Sequence, residues 1–193
     1  MINDLRQNWK QKDFPFVFVQ LTNYMEETDV PAESNWAKLR QAQLKTLSEK
    51  NTGMVVAIDL GEWNDIHPLN KYDVGKRLAM QAQKLAYNEK NIFAESPIPE
   101  KSVFKRKKVE IFFKNTGSGL IAKGDKKLHY FAVSNDNKNF VWAEAKIKGN
   151  KVVVWNNGIE NPVKVRYAWA DNPKSANLFT KDGLPASPFE VEK

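Results

Sequence analysis

Two side chains in one short loop have the types and spacing for proton transfer: His67 and, two residues before it, Asp65. They lie in Glu62-Trp63-Asn64-Asp65-Ile66-His67-Pro68-Leu69. An imidazole serves as general base when an acceptor orients one ring nitrogen and a nucleophile sits beside the other. Asp65, Asp59 and Glu62 are the nearby acceptors, with Asp65 the closest in sequence, and a backbone carbonyl can do the same work. The pattern suits a loop histidine held by a structural hydrogen bond equally well. The second histidine, His129, falls in the strand pattern Leu128-His129-Tyr130-Phe131 and is assigned to packing or to the surface.

A nucleophile is missing from the pattern. No Gly-x-Ser-x-Gly elbow occurs. Ser34 reads as a helix cap, and Ser118, between Gly117 and Gly119, as a turn residue. No metal-ligand spacing and no phosphate-cradling glycine loop is present, so no cofactor or metal is expected. The absence of cysteine excludes disulfides and thiolate chemistry. The net charge of +7 comes from scattered lysines interleaved with acids. That is a solvated surface, and no nucleic-acid partner is expected. Lys105-Arg106-Lys107-Lys108 stands before an apolar strand, where charge protects a sheet edge. No stretch approaches ~20 uninterrupted apolar residues, and residues 1–20 lack a signal-peptide layout, so no membrane partner is expected.

The elements that must position His67 surround it in sequence. Met54-Val55-Val56-Ala57-Ile58 is apolar without alternation, as in a strand covered on both faces. After the loop, Asn70 can cap a helix carrying Val74, Leu78, Ala82, Leu85 and Ala86 on one face. Before it, Pro15 to Leu21 reads as a second buried strand. Ser34 or Asn35 then caps a helix running to about Ser48. Strand, helix and strand make a βαβ unit with a right-handed crossover. A loop after the carboxyl end of a parallel strand is where open α/β sheets place ligands. Two such strands do not make a stable sheet alone, so further strands are expected from another part of a parent protein or from another chain. Leu5 and Trp9 suit the last turns of a helix that starts in mid-pattern, so Met1 is expected to mark a fragment's start rather than a natural domain edge.

Pro97 and Pro99 lie in an expected linker over 91–102. Beyond it, strands are predicted at 108–113, 130–133, 140–143, 151–155 and 163–169, spaced by turn signals as in an antiparallel sandwich. Residues 176–189 read as an irregular, apolar docking tail. Trp142, Trp155 and Trp169 can present aromatic faces to sugars, but their strand positions favour the core.

Gly53-Met54-Val55-Val56-Ala57-Ile58-Asp59-Leu60-Gly61, then Asp65-Ile66-His67-Pro68, Asn70-Lys71 and Val74-Gly75-x-Arg77-Leu78-Ala79, resembles the histidine region of the sialate O-acetylesterases. Those are serine esterases of the SGNH-hydrolase type. Phe18-Val19-Gln20-Leu21, Trp36-Ala37-x-Leu39-Arg40-x-Ala42-Gln43, Val165-Arg166-Tyr167-Ala168-Trp169, Ala176-Asn177-Leu178 and Gly183 to Phe189 agree with it. The resemblance implies the C-terminal part of an SGNH-type, flavodoxin-like parallel α/β sheet (residues 1–90), a linker, and a small antiparallel β-sandwich module (103–193). It implies hydrolysis of sugar O-acetyl esters, typically the 9-O-acetyl group of sialic acids, with His67 as general base. The serine and oxyanion blocks of the family lie upstream of these residues. An upstream segment or second chain is therefore the implied partner, and this chain alone is expected to be inactive. Many SGNH hydrolases have an aspartate three residues before the histidine; here that position is Asn64, and Asp65 follows it. Gln20 and Arg40 are candidate substrate contacts, with local structural bonds as the competing role. The expected location is periplasmic or secreted, with any targeting signal preceding Met1. The alternative function is a non-catalytic carbohydrate-binding protein.

Overall fold

The apolar run Met54 to Ile58 is at most 4% exposed along its length in a computed structural model, which describes residues 1–193. Its first part forms β2 (Thr52–Val55), paired in parallel with β1 (Phe16–Val19) in a two-stranded sheet. The strand ends at Val55, earlier than the pattern predicts, and Val56 to Ile58 run on without ladder partners. They stay buried because Met54, Val56 and Ile58 pack with Phe18, Leu44 and Leu47.

Between the strands runs α2 (Asn35–Lys45), whose cap Ser34 accepts the Ala37 N–H at 2.9 Å. A 3₁₀ turn, Thr46–Ser48, leads into β2. After the loop comes α3 (Lys71–Leu85), with Asn70 accepting the Asp73 N–H at 3.0 Å as the cap pattern requires. Helix α3 lies against both strands of the parallel pair. Gly53 makes the approach close: a Cβ there would stand 2.6 Å from both Gln81 and Leu85 side chains. The amino-terminal α1 (Ile2–Trp9) is held by Arg6, which donates to the carbonyls of Phe14 (2.8 Å) and Lys50 (2.7 Å).

Most of the remaining chain is antiparallel sheet. One four-stranded sheet has the order β3 (Ile98–Lys105), β4 (Lys108–Lys114), β9 (Lys151–Trp155), β8 (Glu144–Lys148). A second has β12 (Phe189–Glu192), β10 (Lys164–Tyr167), β6 (Phe131–Ser134), β7 (Val141–Trp142). A short pair joins β5 (Leu120–Ala122) to β11 (Leu178–Thr180). The sheets share one core of 16 buried residues, with Val109, Ile111, Val152 and Val154 from the first and Phe131, Val133, Val165, Tyr167 and Phe189 from the second. Phe131, Tyr167 and Phe189 form an aromatic triad with centroids 4.7, 5.7 and 6.5 Å apart. Each such pair adds about 0.5–1.5 kcal/mol beyond burial.

Three expectations need correction. Strand β3 begins at Ile98, inside the expected linker, and tolerates Pro99 because a register shift falls between Pro99 and Lys101. The tail expected to be irregular contributes β11 and β12, because strands β5 and β10 offer it free ladder edges. Of the three tryptophans, Trp169 is 8% exposed as a core residue should be, whereas Trp142 is 39% exposed on the edge strand β7.

Contacts cross from the amino-terminal part to the β-rich part. Leu44 of α2 packs against the 16-residue core, and α2 lies against β12.

Candidate active site

Asp59, at the end of the buried run, does not face the histidine. Its carboxylate takes a bidentate pair from Arg77 of α3 at 2.7 and 2.8 Å, and Arg77 also donates to the Val56 carbonyl at 2.8 Å. Both side chains are largely buried, so this pair fixes the start of the loop against the middle of α3. It also removes Asp59 as an orienting acceptor.

The loop is then latched at Gly61. Its N–H donates to Asn23 Oδ1 at 2.8 Å, Asn23 Nδ2 donates to Asn172 Oδ1 at 2.9 Å, and Asn172 Nδ2 donates to the Met25 carbonyl at 2.7 Å. The Met25 N–H returns to the Trp63 carbonyl at 2.8 Å. A Cβ on Gly61 would stand 2.2 Å from the Asn23 carbonyl oxygen, so only glycine fits this approach. Asn23 and Asn172 are 5% and 1% exposed. A residue from the β-rich part thus sets the floor of the loop.

His67 stands on that floor with its side chain 84% exposed. Asp65 Oδ1 accepts the His67 backbone N–H at 2.7 Å and lies 3.5 Å from His67 Nδ1. The carboxylate therefore shapes the turn first and stands just outside hydrogen-bond distance of the ring. Glu62 pairs with Asp65 only through a backbone bridge. The imidazole is not sealed, and no hydrogen bond commits its ring elsewhere.

Gln20 and Arg40 lie elsewhere. Both are 0% exposed. Arg40 donates to the carbonyls of Leu21 (2.9 Å), Thr22 (2.5 Å), Ala170 (2.7 Å) and Asp171 (2.8 Å). Burial pushes its guanidinium down to about 9 against the opposing pull of the Asp171 carboxylate, which still leaves it charged at neutral pH. Gln20 Nε2 donates to the Arg40 carbonyl at 3.0 Å and to Ser187 Oγ at 2.9 Å. The candidate substrate contacts are therefore a buried lock joining β1, α2 and the tail. Every Arg40 nitrogen is spent on main chain, and no face of either side chain reaches solvent.

Asn23, Asn172 and the Asp59–Arg77 pair escaped the sequence reading. Asparagines in loops look like turn residues, and the bond from Asn23 to Asn172 spans 149 positions. Asp59 and Arg77 both stood inside the resembling blocks, 18 positions apart, and that shared placement was the one available signal.

Comparison with known proteins decides what this arrangement is similar to. No family model matches the chain. Over 98% of its length it is 28% identical to the sialate O-acetylesterase of Mus musculus, covering 40% of that protein. Against the Homo sapiens sialate O-acetylesterase the identity is also 28%, over 95% of this chain and 38% of that one. The chain resembles the sialate O-acetylesterases. It fits their C-terminal part, and it spans about 40% of the length of these relatives. A solved carbohydrate acetylesterase from Xanthomonas citri superposes on the whole chain with a TM-score of 0.93 at 39% identity, and 44% of that structure is covered. These relatives are acetylesterases of carbohydrates by name. Over the superposed part, the Xanthomonas citri acetylesterase shares the mostly antiparallel architecture with few helices.

Proposed function

We propose that this chain is the histidine-bearing part of a carbohydrate O-acetylesterase. The observation that carries the reading is His67: an uncommitted imidazole, backed by Asp65, on a braced loop after the carboxyl end of the parallel strand β2. In this reading residues 1–90 are the C-terminal portion of an SGNH-type parallel sheet, and 103–193 form a small antiparallel sandwich module. An upstream segment or a second chain adds strands to the β1–β2 pair and brings a serine and oxyanion donors to His67. Its Nε2 takes the serine proton as the hydroxyl attacks the acetyl carbonyl, then returns it to the departing sugar oxygen. Asp65 swings the remaining distance to Nδ1 as the imidazolium forms.

Two features support a covering segment. A general base 84% exposed to water lacks the dry surroundings in which charge stabilisation is strong. Trp63, Ile66, Leu69 and Tyr72, flanking His67 in sequence, are 56%, 42%, 72% and 79% exposed, an apolar surface in want of a partner. The substrate class is an O-acetylated sugar, and the sialic acid 9-O-acetyl ester is its narrower form.

The test is acetate release from O-acetylated sugars, 9-O-acetylated sialic acid among them, by a longer protein that contains the upstream segment. His67→Ala is expected to abolish turnover in that longer protein and to leave the melting temperature of the 193-residue chain unchanged, since in this chain the ring is 84% exposed. Turnover that survives His67→Ala would overturn the reading.

A further inference from the structure

Away from the histidine, the long loop between β1 and α2 borders an open cleft of about 490 Å³ against β6 and β7, within the size range of small-ligand sites. One wall is aromatic. Trp142 and Tyr130 meet edge to face with centroids 5.4 Å apart, and the Trp142 ring is fixed by its Nε1–H, which donates to the Asp29 carbonyl at 2.8 Å. Carboxylates line the cleft: Glu27 and Asp29 from the loop, and Glu144 from β8. Burial, then the charges of Glu27 and Asp29, raise the Tyr130 phenol above its ordinary range, which places both carboxylates within influence of the ring.

Tyr130 is also held at φ 60°, a left-handed conformation that a bulky residue rarely adopts. Its carbonyl accepts the Ala168 N–H at 2.9 Å, which holds the strained position. Glycine or asparagine would sit there with less strain, and glycine or asparagine does fill such positions at several turns of this chain. A strained aromatic kept on the wall of an open cleft points to a use for its ring.

We propose that this cleft is a saccharide-binding site that takes an uncharged sugar ring against Trp142 and Tyr130. Aromatic faces receive the C–H faces of pyranoses, and ionised carboxylates accept from sugar hydroxyls. Three carboxylates outnumber the ammonium groups set against them, Lys127 in the lining and Lys174, which pairs with Glu27 at 3.6 Å; with the His129 ring beside them, the balance still disfavours an anionic sugar. The loop that supplies Glu27 and Asp29 also touches the histidine loop, through the Met25 N–H to Trp63 carbonyl bond. The inference stands apart from the esterase reading, because it requires neither a serine nor the imidazole.

The experiment uses the 193-residue chain, nitrogen-15 labelled, and follows its tryptophan indole signals. The probes are xylo-, cello- and galacto-oligosaccharides, with sialyllactose as the anionic counterpart. At least one neutral oligosaccharide should shift the Trp142 indole signal saturably. Trp142→Ala, which removes that signal, should weaken binding by about tenfold or more when read by titration calorimetry. Tyr130→Gly, which accepts the left-handed backbone, should keep the fold and lose binding likewise. Glu144→Gln should weaken it, and His67→Ala should bind as the parent does, which separates this site from the esterase reading. No shift of Trp142 with any neutral probe would overturn the proposal. So would unaltered binding by both aromatic variants, or sialyllactose binding as tightly as the neutral sugars.

Discussion

Asn172→Ala tests whether the β-rich part positions the histidine loop. The side chain is 1% exposed and makes two hydrogen bonds, accepting from Asn23 Nδ2 at 2.9 Å and donating to the Met25 carbonyl at 2.7 Å. Truncation leaves the Asn23 donor buried without a partner, at a cost of about 1–3 kcal/mol. The Met25 carbonyl, in a bond that is only part-buried, loses less. Together the loss is about 2–4 kcal/mol, a large part of a stability of roughly 5–15 kcal/mol. At roughly 2–4 °C per kcal/mol for a chain of this size, the melting temperature should fall by about 4–16 °C. Circular dichroism melts give the first measurement. Amide hydrogen exchange gives the second: the Gly61 N–H, which bonds Asn23, should lose protection, whereas the Gln20 N–H in the parallel ladder should keep it until global unfolding. Asn172→Asp keeps the acceptor for Asn23 but sets a buried carboxylate against the Met25 carbonyl, so it should be no better than alanine. A melting temperature within about 1 °C of the parent, with Gly61 exchange unchanged, would refute the latch.

Arg40→Lys should be as damaging despite keeping the charge. One ammonium cannot reproduce a planar fork aimed at four carbonyls, and those of Leu21 and Ala170 would be left without a donor, whereas Thr22 and Asp171 retain other partners; thermal melts should show a loss of about 2–5 kcal/mol. Acid should destabilise the chain through Glu110. The Lys105 and Lys151 ammonium groups, each 2.8 Å away, hold its carboxyl at about 2 instead of 4.5. The unfolded chain therefore binds the proton more readily, and stability present above 4.5 drains away as the pH falls toward 2. Urea midpoints across that range should fall more steeply in the parent than in Glu110→Gln, and parallel slopes would exclude the role.

Local pattern alone set much of the frame. The unbroken apolar run of β2, the Ser34 and Asn70 caps and the parallel pair follow from side-chain period and capping chemistry, which act within a few residues. The loop bearing His67 and Asp65 was legible for the same reason, and the chemistry proposed for it rests on the resembling blocks rather than on spacing. Long-range pairing was not legible. Strands β11 and β12 exist because β5 and β10 offer edges, which no tail sequence announces. Arg40 and Gln20 carry the residue types of ligand contacts, but burial and four main-chain carbonyls made Arg40 part of a lock. Trp142 has the strand position of a core residue, yet it sits on the edge β7 and opens on a cleft. A residue's type states what bonds it can make, whereas only the closed chain decides which partners arrive and whether water remains.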